Sequence, residues 1–153
     1  MRMLLLAIVV WLGCGGDQKS ESPPAAQESI ETVSLRWGKA ALGGNKTEAI
    51  ALSLTHAQLV ELSTKDIAKA DYDEELTSFL DGLAREGKEN PASKVVATKI
   101  IERKTLPASE KVRRALDYAL VRLVLEQDGA QQEAGPPLLF FRTDAGWRFS
   151  PKK

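Results

Sequence analysis

An unbroken nine-residue apolar run, Leu4 to Leu12, ends two positions before Cys14, the only cysteine in the chain. Arg2 supplies a basic start, and Gly13 puts a small residue before the cysteine. The run has the length of a secretory h-region. It is too short to span a bilayer, which takes about 20 apolar residues. This constrains everything downstream. If the segment is removed at Gly13 and the thiol is consumed, no disulfide and no cysteine-based zinc or iron–sulfur site can form. The remaining chain must hold its core by packing alone.

The stretch Met1 to Cys14 resembles a bacterial lipoprotein signal, whose lipobox ends in Gly or Ala followed by Cys. Trp11 and Leu12 depart from the family's usual leucine and small residue at those positions. The resemblance implies lipidation: Cys14 receives a diacylglycerol thioether, becomes the mature N-terminus and is N-acylated. Gly15 and Gly16, with Asp17 only beyond them, lack the aspartate that in this family follows the cysteine and favours inner-membrane retention. The implied location is therefore the outer membrane in a two-membrane host. One acyl chain holds a protein only marginally, whereas several hold it stably.

Removing residues 1–13 takes away one charge, Arg2, and leaves 20 Lys and Arg against 21 Asp and Glu. So even a balance argues against a nucleic-acid partner, which needs basic stripes. It argues equally against electrostatic attachment to anionic lipid. The hydrophobic content of 43% suffices for one packed core. Residues 14–28 carry Gly, Ser, Pro and polar side chains, and read as the lipidated cysteine and a tether. Their reach, fully extended, is roughly 45 Å. Residues 29–153 read as a single domain.

Within that domain, Ile30, Val33, Trp37 and Ala41 share one helical face, and Gly43-Gly44-Asn45 supplies a stop. Thr47 is expected to open a short helical run in which Ile50 and Leu54 lie four apart. Thr55 and Gln58 form a capping-box pattern leading into Leu59, Val60 and Leu62. Asp71 or Asp73 is expected to cap a fourth helix with an apolar stripe of Leu76, Phe79, Leu80 and Leu83, ended by Gly87 and Pro91. Lys94 to Leu106 reads as a strand. Val112 to Glu126 fits a helix, but it also fits a strand with Val112, Leu116, Tyr118, Leu120 and Val124 on one side. The density of β-formers running into Gln127-Asp128-Gly129 favours a long strand. Leu138 to Phe141 and Trp147 to Phe149 flank the turn Thr143-Asp144-Ala145-Gly146, the clearest hairpin in the chain.

The expected fold class is therefore α+β, with short N-terminal helices packed on a curved antiparallel sheet of three to four strands. Helices first, then strands ending at Asp144-Ala145-Gly146-Trp147-Arg148-Phe149, resembles the nuclear-transport-factor or ketosteroid-isomerase-like cone. That resemblance implies an open pocket, used by some members for isomerase or dehydratase chemistry and by many for binding alone.

No catalytic residue, cofactor or metal site is assigned. His56, the only histidine, has no carboxylate or hydroxyl partner nearby in sequence and reads as a helix-surface residue. Asp117, Tyr118 and Tyr72 are the other conceivable acid–base groups, but on a strand Asp117 and Tyr118 point to opposite faces. Trp37, Phe79, Tyr118, Phe140 and Trp147 are candidate pocket-lining residues, although such spacings more often mean core. The expectation is a lipid-anchored, non-catalytic envelope protein that binds a small apolar ligand or an envelope protein partner. The alternatives are a cone-fold enzyme and a structural or assembly factor without a pocket.

Overall fold

The computed structural model describes residues 27–151. The signal segment, Cys14 and the tether up to residue 26 lie outside the described residues. Four helices come first: α1 (Ile30–Leu42), α2 (Lys46–Ala51), α3 (His56–Leu62) and α4 (Lys69–Glu89). Four strands follow: β1 (Lys94–Leu106), β2 (Leu116–Gln127), β3 (Ala130–Thr143) and β4 (Gly146–Ser150). They form one open antiparallel sheet in the order β1-β2-β3-β4, so every strand pairs with its sequence neighbour. The fold is α+β, helices on sheet.

The expected stripe buries α1. Ser29 caps the helix by accepting from the Thr32 N–H, and Ile30, Val33, Trp37, Ala40 and Ala41 all face inward. The capping box at Thr55 and Gln58 closes in both directions at the start of α3. The strand expected over Lys94 to Leu106 is β1. The Asp128-Gly129 link pairs Gln127 with Ala130, and both linking residues have positive φ (53° and 77°). That is the backbone a two-residue type I′ hairpin demands, and it matches the twist of the strands it joins.

Several local expectations are corrected. Asn45, not Thr47, caps α2, because its side chain accepts from the Glu48 N–H. Leu54 is not on that helix. Residues 52–54 run alongside β4 instead, with the Leu54 N–H donating to the Phe149 carbonyl at 2.8 Å and the Phe149 N–H to the Leu52 carbonyl at 3.0 Å. Neither Asp71 nor Asp73 caps α4, which starts earlier, at Lys69, with Ala68 at its cap and no side-chain capping bond. Tyr72, inside that first turn, is buried. Nor does Gly87 end the helix. A Cβ there would lie 2.0 Å from the carbonyl oxygen of Leu42, so Gly87 lets α4 touch the end of α1.

β2 begins at Leu116, not Val112, and its buried side is Ala119, Val121, Leu123 and Leu125. The face carrying Tyr118, Leu120 and Val124 is the half-exposed one. Both sets alternate at period 2, and packing against α1 selects the smaller, tighter set. Pro136 and Pro137 lie within β3, an interior strand, where the register with β2 slips between Val121 and Leu123. Proline lacks the N–H a ladder needs, so an interior strand accommodates it at a bulge, which also bends the sheet.

Candidate functional site

The two faces of the sheet differ. On the face covered by α1 and α4 sits an aromatic cluster. The Trp37 ring lies 4.0 Å from that of Phe149 and meets Phe140 edge-on at 6.0 Å. Phe79 of α4 stacks on Phe149 at 5.3 Å. Trp37 and Phe140 are wholly buried. The Trp37 indole N–H donates to Ser53 Oγ at 3.1 Å, and the Ser53 hydroxyl donates to the Ala49 carbonyl at 2.7 Å, so the polar atoms of this core are satisfied. Trp147 is buried beside the cluster, with the Arg103 guanidinium 5.3 Å above its ring.

Side chains alternate along a strand, so Phe141 and Ser150 leave the sheet on the face opposite Phe140 and Phe149. At one end of that second face lies a partly open cavity of about 230 Å³. The sheet contributes Phe141, Ser150 and the directly paired Leu106 and Leu116. Leu59 and Leu62 of α3 line it, together with Leu54, Ile67 and Val112. Ser63, Lys65 and Lys111 complete the lining. Among the described residues that line it there is no carboxylate, imidazole or phenol.

Two loops hold this wall together. Ser63 and Val112 form an antiparallel bridge. The Thr64 N–H donates to the Lys111 carbonyl at 3.1 Å, and the Arg113 N–H to the Leu62 carbonyl at 2.9 Å. Arg113 Nε also reaches the carbonyls of Ser63 (2.9 Å) and Val60 (3.2 Å), satisfying the otherwise orphaned end of α3. His56 lies 2.6 Å, through Nε2, from the Ile67 carbonyl and so ties the start of α3 to the loop after it. That is a structural role on the surface of the helix.

The rest of the second face is solvated and ionic. Glu133 bridges Lys99 and Arg122 (2.8 Å to Arg122). The Tyr118 hydroxyl donates to Glu102, which also pairs with Lys104 at 2.8 Å. These bonds hold the Glu102 carboxyl below the usual range and raise the Tyr118 phenol. Asp117 accepts from Thr105 at 2.6 Å and lies in a separate polar cleft with Gln27, Arg114, Arg142 and Asp144. There Arg142 faces Asp117 at 3.9 Å and Arg114 faces Asp144 at 3.6 Å, so the cleft is balanced in charge.

The sequence candidates are thus dispersed. Trp37, Phe79 and Phe140 come together as core. Trp147 is buried apart from the cavity, and Tyr118 belongs to the ionic face. None of the five lines the cavity under α3. Its wall draws on aliphatic residues from six separate places in the chain, and no spacing rule connects them. The one legible hint was the apolar face of α3. Among the described residues no cluster of side chains could hold a metal ion, and no helix is long and apolar enough to cross a membrane. Comparison with protein-family models, with curated proteins and with solved structures returns no match.

Proposed function

We propose that this is a lipid-anchored cell-envelope protein whose domain binds a small apolar ligand, without catalysis, in the cavity beneath α3. The supporting observation is the lining itself. An aliphatic wall with one aromatic ring favours apolar contact, and the acid–base groups an enzyme of the cone type would need lie elsewhere. Asp117 pairs with Thr105 and Arg142, Tyr118 with Glu102, and the Tyr72 hydroxyl donates to the buried Leu54 carbonyl at 2.7 Å. The volume is below the range of about 300 to 1,000 Å³ typical of sites for drug-sized ligands, so the ligand is small or inserts only one chain. The membrane enters as a partner through Cys14.

Two experiments test this reading. Titration of the protein with 1-decanol, followed by calorimetry, is expected to give saturable one-site binding. Leu59→Trp, which fills the cavity, is expected to abolish it while leaving the circular dichroism spectrum unchanged. Binding that survives a folded Leu59→Trp protein would place the ligand elsewhere. For the anchor, cells fed a palmitate analogue should label the wild type and not Cys14→Ser. Equal labelling of the two would remove the anchor from the account.

A further inference from the structure

Of the twelve described residues around the cavity, two carry charge, Lys65 and Lys111, and both are positive. They come from different loops, and the Ser63–Val112 bridge and the Thr64 to Lys111 bond hold those loops side by side. The backbone hydrogen bonds therefore bring the two loops that carry these lysines to the same side of the cavity. Both lysines are exposed. Most lysines of the sheet and helices are engaged: Lys46 with Asp81, Lys69 with Asp73, Lys99 with Glu133 and Lys104 with Glu102. Lys65 and Lys111 make no ion pair among the described residues. Each has an exposed acidic neighbour in sequence, Asp66 and Glu110, and among the described residues neither forms an ion pair within 4.0 Å. Two lysines without ion pairs beside an aliphatic hollow suit a hydrocarbon chain ending in an anion.

From this geometry we infer that the cavity takes a straight-chain alkyl carboxylate, with the chain against Leu59, Leu62, Leu116 and Phe141 and the carboxylate toward the loops that carry Lys65 and Lys111. The inference rests on the reading of the cavity as an apolar binding site and adds the class of ligand. The two contributions separate by chemistry. The chain supplies affinity by burial, at about 0.8 kcal/mol or roughly fourfold per methylene until the cavity is full. The head group supplies selectivity, and because the lysines are exposed its share is modest and screened by salt.

The test compares three probes of equal chain length on the full chain: decanoate, 1-decanol and decylammonium, each kept below its micelle-forming concentration. Decanoate is expected to bind most tightly, decanol next and decylammonium most weakly. Lys65→Gln with Lys111→Gln, two exposed changes that leave the fold intact, should weaken decanoate roughly threefold to tenfold and leave decanol unchanged. Raising the salt concentration should close the same gap in the wild type. If decanol and decanoate bind equally, or the double variant weakens both alike, the carboxylate inference fails while the apolar site stands. If no probe binds, the site itself fails. Octanoate and dodecanoate then measure the depth of the cavity through the chain length at which the fourfold steps end.

Discussion

The same four strands carry a filled face and a hollow one. On the α1 side, four aromatic rings interlock and their polar atoms are satisfied. On the α3 side, leucines, Ile67 and Val112 ring a space that they do not fill. The difference follows from the covering elements. α1 is a capped helix of 13 residues with small residues, Ala40 and Ala41, among its buried positions, so it lies close to the sheet and the rings fill what remains. α3 has only seven residues and shares the cavity wall with the loop residues Ile67 and Val112. A short cover on loops leaves room, and one face can serve stability while the other is free for a ligand.

The largest expected effect is on the filled face. Trp37→Ala removes the ring at the centre of the cluster and leaves Ser53 without its donor. It should cost about 3–5 kcal/mol, read from the urea midpoint. Gly87→Ala sharpens the picture of close packing. Helix propensity alone would make it stabilising by up to about 1 kcal/mol. The collision with the Leu42 carbonyl should reverse the sign and destabilise by about 1–3 kcal/mol. On the hollow face, Leu59→Ala should cost only about 2 kcal/mol, at the low end for a buried leucine, because its neighbours already lack partners on one side. A cost matching that of Trp37→Ala would mean the two faces are equally packed.

Tyr72 joins the two regions, since its hydroxyl donates to the carbonyl of Leu54, whose side chain lines the cavity. Burial first, then the carboxylates of Asp73 and Glu75, raise its phenol well above the usual tyrosine range. The folded state therefore keeps this proton longer than the unfolded state does. Its contribution is complete below the ordinary tyrosine pKa of about 10 and declines as the pH rises above it. Tyr72→Phe should cost about 1–2 kcal/mol at neutral pH, from the unpaired carbonyl, and flatten the loss of stability in alkali. Denaturant midpoints at neutral and alkaline pH check both effects.

Much of this comparison could be read from the residues in advance, and part could not. The stripe of α1, the capping box at Thr55, the strand Lys94–Leu106 and the Asp128-Gly129 turn are local patterns, and local geometry dictates them. The choice between the two faces of β2 was not local. Both the set with Tyr118 and the set with Ala119 alternate properly, and only the approach of α1 decides which is buried. Aromatic residues suggested a pocket, but they carry the most apolar area and gather in the core first. The cavity arises where Leu54, Leu106, Val112 and Ser150 meet, a product of long-range pairing that no window of sequence contains.

A methyl-detected NMR titration of the protein with 1-decanol distinguishes the two faces of the sheet. Saturable shifts are expected at Leu54, Leu59, Leu62, Ile67, Val112 and Leu116, with the methyls beside Trp37 and Phe149 unmoved. Shifts centred on the aromatic side, or spread evenly over both faces, would contradict that expectation.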